Sequence, residues 1–324
     1  MPLKLPWLCA LALAVLPFTP AMAGTCHSEN LMPEYFAFAA RTAAMAPAQR
    51  ADAFVTDFAL HHPEFYVPED FGDAGKLRER AARFFDPATI VKFPGAMPLT
   101  DESFHAAAQA AVPALEEIST QYDKEFPDFR CNAVISFGVS LNRFDAYGFT
   151  DGRGRDFMRF GIDVMARLHK PRDMPTVFAH VLFQIYFSQL YPQVTADDFG
   201  VTWQAAWLEG VSTYISMCMT APRDEQQALW FSDEAMAQMQ KPEVMAQAAR
   251  AMLADFGKGD DQTYGDWFKQ GASVPGLPSR AGYYLGLRMA EELGRRYTLS
   301  QIAHMPPQEQ RRRMKAFLQE QAAR

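Results

Sequence analysis

What this chain lacks narrows it before any motif is read. Its 324 residues hold four cysteines, none in C-x-x-C spacing, so neither a dithiol redox centre nor a thiolate metal site is expected. Beyond the first two dozen residues no stretch approaches 18 apolar residues, so no membrane-spanning helix is expected. Basic residues are outnumbered: 31 Lys and Arg against 38 Asp and Glu leave a net charge of −7, which argues against nucleic acid as a partner. The one same-sign run, Arg311-Arg312-Arg313, reads as a solvated face near the C-terminus of the last helix. There is no repeat of fixed period and no low-complexity linker, and Gly152-Arg153-Gly154 is too poor in glycine for a phosphate loop.

What is present begins with an export signal. Lys4 precedes an apolar run from Leu8 to Leu16, broken by Pro17 and Pro20. Ala21-Met22-Ala23 then offers the small-x-small pattern of a signal peptidase site, with cleavage expected before Gly24. The run is too short to span a bilayer of about 30 Å. The rival reading is a lipoprotein anchored at Cys26, although Thr25 directly before the cysteine fits a lipobox poorly. A periplasmic or secreted protein of residues 24–324 is therefore expected, long enough for a large core and one or two domains. Removing Lys4 makes it one unit more acidic. Cys26, Cys131 and Cys218 then allow one disulfide and one buried thiol. Cys26 and Cys131 lie at the edges of expected elements and Cys218 in an apolar helix, so a 26–131 bridge is the expectation, other pairings remaining open.

The fold class expected is α+β, mainly α. Residues 24–130 read as an N-terminal helical region, 131–220 as a core of strands and two motif helices, and 221–324 as a C-terminal helical region. In the first, the pattern is helical from Glu29 to about Asp128, with helices near Gly75–Phe85 and from Asp101 onward, the latter kinked at Pro113. His61 and His62 are adjacent, face different ways and read as helix-end residues. Val134–Val139 and Phe157–Val164 read as strands around a Gly-rich turn at Gly148, Gly152 and Gly154. Helices follow at about Pro175–Leu190, Thr202–Thr220, Asp224–Met239, Pro242–Phe256, Pro278–Arg296 and Pro307–Ala322.

Two of these helices carry chemistry. His180 and Gln184 are four apart on the first and share a face; Glu209-Gly210 and Tyr214 stand on the next. A strand, a His-bearing helix and a Glu-Gly helix in that order are the frame of a gluzincin metallopeptidase, where H-E-x-x-H supplies two imidazoles and a base and a later Glu the third zinc ligand. Residues from about Val134 to Thr220 resemble the predicted zinc-dependent proteases of the DUF2268 type. In that family a strand ending near Gly161-Ile162-Asp163 leads to a helix reading A-H-E-x-x-H and then to an E-G-x-x-x-Y helix. Gly282-Tyr283-Tyr284-Leu285-Gly286 resembles the family's C-terminal part, and the likeness covers about half of residues 24–324.

The resemblance implies that His180 matches the first zinc ligand and Glu209 the third. It also marks two departures: Gln184 stands where the second histidine belongs, and Val181 where the general base belongs. A carboxamide is a weak zinc donor, and valine cannot take a proton. Loss of the base alone removes a factor of about 10²–10⁴ in rate. The expectation is thus a pseudo-peptidase with vestigial metal residues His180 and Glu209, no catalytic residue and no expected cofactor, taking zinc only if the site still works. It would act by binding a peptide or protein. Asp163, Tyr214, Tyr283 and Tyr284 are cleft candidates, and His105, His169 or Asp163 could supply a missing ligand. Two other readings stay open. One is an active hydrolase with a rearranged, chelator-sensitive site. The other is an unrelated helical periplasmic binding protein, favoured if His180 and Glu209 lie more than roughly 10 Å apart, since zinc bonds near 2 Å demand convergence.

Overall fold

A computed structural model describes residues 26–324 except 90–95, 151–154, 196–197, 199 and 221–224. The expected leader, Gly152, Gly154 and the expected helix start at Asp224 lie outside the described residues. Four strands form one sheet: β1 (His27–Asn30), β2 (Val134–Gly138), β3 (Ala146–Thr150) and β4 (Asp156–Gly161), in the order β1-β2-β4-β3. β1 and β4 run parallel to β2, and β3 closes the far edge antiparallel to β4. The rest is helical, and the protein is α+β and mainly α. No helix among the described residues is long and apolar enough to cross a membrane.

The N-terminal helices are α1 (Met32–Arg41), α2 (Pro47–Asp57), α3 (Pro68–Phe71), α4 (Ala74–Phe85) and α5 (Asp101–Glu125). A Thr100–Ser103 capping box opens α5, which runs on through Pro113 as one helix. Their apolar faces bury Tyr35, Phe38, Phe54, Phe58 and Phe104 in a core shared with the sheet. His62 pairs with Glu34 at 3.0 Å, and His105 stacks on Phe36 with ring centres 4.0 Å apart. After the sheet come α6 (Ile162–Leu168), α7 (Met174–Leu190) and α8 (Thr202–Thr220), followed by α9 (Glu225–Leu229), α10 (Asp233–Met239) and α11 (Pro242–Asp255). The chain ends with α12 (Asp261–Phe268), α13 (Ala281–Gly294), α14 (Leu299–Ala303) and α15 (Pro307–Ala322).

Several expectations need correction. β1 lies within a segment whose pattern looked helical from Glu29; His-Ser-Glu-Asn offers no apolar residue, and the strand exists because β2 has a free edge beside it. β3 replaces the start of the expected Gly-rich turn, since β4 would otherwise leave its ladder open. The expected second strand stops three residues early. At Gly161 the backbone passes so close to Phe144 that an added Cβ would lie 2.1 Å from its carbonyl oxygen; Gly161 is the N-cap from which Ile162 opens α6. The expected 224–239 helix is two helices, broken at Trp230 (φ 51°) and restarted by the Ser232 cap on the amide of Ala235. The basic triplet lies in the first half of α15, where Arg312 and Arg313 pair with Glu309.

Cys26 and Cys131 form a disulfide across 105 residues, beside the parallel β1–β2 pair, and a thiol so engaged is not available to a lipid. Cys218 is exposed rather than buried. The last turn of α8 leaves the core, and there Cys218 sits beside Tyr214, with partial burial raising its thiol pKa.

Candidate functional site

The site is built where three helices meet. α7 is apolar on nearly every side, as a helix inside the core must be, and Pro175 stands in its first turn. α8 runs opposite to it: Thr176 near the start of α7 hydrogen-bonds Thr220 at the end of α8 at 2.9 Å. α13 then crosses α8 at backbone contact. A Cβ added at Gly210 would stand 2.0 Å from the carbonyl carbon of Gly286, and one at Gly286 would stand 2.0 Å from the carbonyl oxygen of Ala206. Only glycine at both positions allows that approach. It places Tyr283, one turn before Gly286, beside Glu209, the neighbour of Gly210.

His180 Nε2 and Glu209 Oε2 are 3.0 Å apart, and Gln184 Nε2 lies 3.1 Å from the first and 3.2 Å from the second. His180 and Glu209 are buried, 6 % and 8 % exposed. A carboxylate facing the imidazole selects the tautomer with its proton on Nε2. The Gln184 amide then also donates to Oε2, and its approach to His180 Nε2 sets two donors side by side. The three groups thus satisfy one another around a single oxygen, as buried polar groups must. Val181, also buried, adds no acceptor.

A half-open wall rises beside the pair. The ring of Tyr283 is stacked 6.4 Å from that of His180, their planes 25° from parallel; Trp230 stands 6.1 Å from His180 and 5.1 Å from His169. The guanidinium carbon of Arg280 lies 4.2 Å over Tyr283 and 4.8 Å over Trp230. Burial, and next the Glu209 carboxylate, push the Tyr283 phenol well above its ordinary pKa, while Arg280 pulls the other way; the same forces act on Tyr264 of α12. His169 is 4 % exposed, and its Nε2 lies 3.7 Å from Asp145, too far for a hydrogen bond, yet close enough for the imidazole to help hold the Asp145 carboxyl low against burial.

Of the cleft candidates, only Tyr283 reaches this place. Tyr284 faces away on its helix, against Phe231 and under Arg288. Tyr214 lies one turn past Glu209 with its hydroxyl packed against Gly294, at the far end of α13. Asp163 is fully buried, holding Ser140 and Asn142. Trp230, Arg280 and Tyr264 were not read from the sequence. The Ser232-Asp233-Glu234 start signal could have marked the break at Trp230, whereas nothing local announces Arg280.

Comparison with protein-family models, with curated proteins and with solved structures finds no match to this chain. Among the described residues no three or more His, Cys, Asp and Glu side chains gather to hold a metal. The donor set of one imidazole, one carboxylate and one neutral amide does not fit a gluzincin zinc centre, and His105 and Asp163 are engaged elsewhere. A cavity of about 480 Å³ lies apart from the pair, between Pro113 and Glu117 of α5, Asp173 and Thr176 at the start of α7, and Thr220.

Proposed function

We propose that this chain is an exported pseudo-peptidase, descended from zinc peptidases of the DUF2268, gluzincin-like type, and that its old cleft binds a peptide or a protein segment without cutting it. The supporting observation is the contact between His180 and Glu209 from successive helices, with Gln184 closing the triangle and valine at the base position. Two ligand-type side chains meet at one point, and the third group is of the wrong chemistry. Their mutual hydrogen bonds fill the place a metal ion would take. Without a carboxylate at position 181, α7 lacks the general base that the family's motif supplies there. The Cys26–Cys131 bond supports an oxidising compartment.

Restoring the motif tests descent. Val181→Glu with Gln184→His, loaded with zinc and dialysed, is expected to retain about one equivalent by metal analysis, whereas the unchanged protein retains far less. A folded double variant that retains no zinc sinks the ancestry. Equimolar zinc on the unchanged protein, lost in His180→Ala, sinks the metal-free reading.

A further inference from the structure

The wall beside the His180–Glu209 pair carries a cation that pairs with no carboxylate among the described residues. The Arg280 side chain makes no hydrogen bond and no ion pair there, and its Nε is shut from solvent without a partner. Its guanidinium is held instead by the faces of Tyr283 and Trp230. Stacking of this kind fixes the plane of the group and leaves its N–H donors unspent. Arg280, Trp230 and Tyr283 are each half-buried, so part of this cluster is open to solvent.

The backbone gives independent weight to this arrangement. Four non-glycine residues among those described have positive φ: Leu141, Asn142, Trp230 and Arg280. The first two wrap the Asp163 carboxylate, which explains them. Trp230 and Arg280 come from segments fifty positions apart, and each takes the left-handed conformation that L-residues avoid; their side chains meet there. Two separate segments thus hold sparsely populated backbone conformations around one charge that lacks a hydrogen-bond partner, an outlier of the kind that points to a binding position. Glu209, the nearest carboxylate of the site, is engaged by His180 and Gln184.

We propose that Arg280 anchors a carboxylate of the bound peptide, the guanidinium pairing in its own plane with both carboxylate oxygens while Trp230 and Tyr283 flank the adjoining residue. This rests on the reading of the cleft as a peptide site. A C-terminal carboxylate and an Asp or Glu side chain offer the same chemistry. A charge-assisted pair of this type changes affinity on the order of tenfold to a hundredfold.

The test uses the full mature chain, immobilised, with a mixed tetrapeptide library in free-acid form and the same library amidated at its C-terminus. Retained peptides are read by mass spectrometry. Free-acid peptides are expected to be retained at least tenfold better, with the preference abolished in Arg280→Gln and reduced in Arg280→Lys, melting curves of both variants reporting the fold. Arg280-dependent retention of amidated peptides rich in Asp or Glu also supports the anchor and assigns the carboxylate to a side chain. Equal retention of both libraries, unchanged in both variants, overturns the anchor and leaves peptide binding standing. Retention of neither by the unchanged protein overturns both.

Discussion

Asp163 occupies the first turn of α6 with no exposed surface, and its oxygens take the amides of Ser140 and Asn142 and the hydroxyl of Ser140. Burial raises its carboxyl pKa, although these donors pull it down. The turn it holds is an unfavourable one, with φ of 56° and 59° at Leu141 and Asn142. Asp163→Ala leaves three buried donors unanswered and is expected to cost about 3–5 kcal/mol in urea denaturation, Asp163→Asn about 1–2 kcal/mol because one acceptor remains. Equal losses would show that the carboxylate is not what holds this turn. As a cleft candidate Asp163 was misplaced for a simple reason. The mainly apolar run from Phe157 to Val164, interrupted by Arg159 and Asp163, reads as one buried strand, and the close approach that Gly161 permits involves a carbonyl seventeen positions earlier.

The crossing of α8 and α13 governs how Tyr283 meets Glu209. Gly210→Ala inserts a methyl group 2.0 Å from the backbone of Gly286, a contact no rotamer can relieve. We expect a loss of about 3 kcal/mol or more in urea denaturation, against a few tenths for Ser188→Ala on the exposed side of α7. A neutral Gly210→Ala would mean that the helices do not touch there. The helices themselves were legible: the 3.6-residue period, with prolines at the starts of α7, α11 and α15, places α4, α7, α8, α11 and α15 within a residue or so of their ends. So was the pairing of His180 with Gln184 and the presence of Glu209 on the next helix. The short α12 and α14 and the strands β1 and β3 were not: the two helices show only as the Asp260 cap on Thr263 and the Thr298–Gln301 capping box, β3 is a short hairpin partner of β4, and β1 draws on β2 more than a hundred positions away. Arg280 and Trp230 were not legible either, because they meet only through the fold, fifty positions apart.

Across the whole molecule, the C-terminal helices are tied to the segment between α5 and β2 by charge as well as by packing. His304, after α14, pairs with Asp128, just before β2, at 2.9 Å, and Tyr186 of α7 donates to the same carboxylate at 2.6 Å. The Ser300 carbonyl first, then Asp128, raises the imidazole pKa against burial, so this contribution is complete below pH about 6.5 and fades as pH rises through the raised folded value. For Asp128 burial opposes, but the Tyr186 and His304 hydrogen bonds lower the carboxyl. Its share is present above pH about 4 and is lost as pH falls further. His304→Gln should therefore lower the melting temperature most between pH about 4 and 6.5 and little above pH 8. Solvent screening keeps the difference below about 1 kcal/mol. A deficit that does not vary with pH would rule out the ionic link.

The first strand is received by a partner more than a hundred positions downstream. His27–Asn30 are made long before Val134, so this strand has no partner until the chain through β2 has been synthesised. The sulfur at position 131 likewise emerges late, and the bond to Cys26 must wait for it. A strand laid down early in synthesis is thus matched to one laid down more than a hundred positions later.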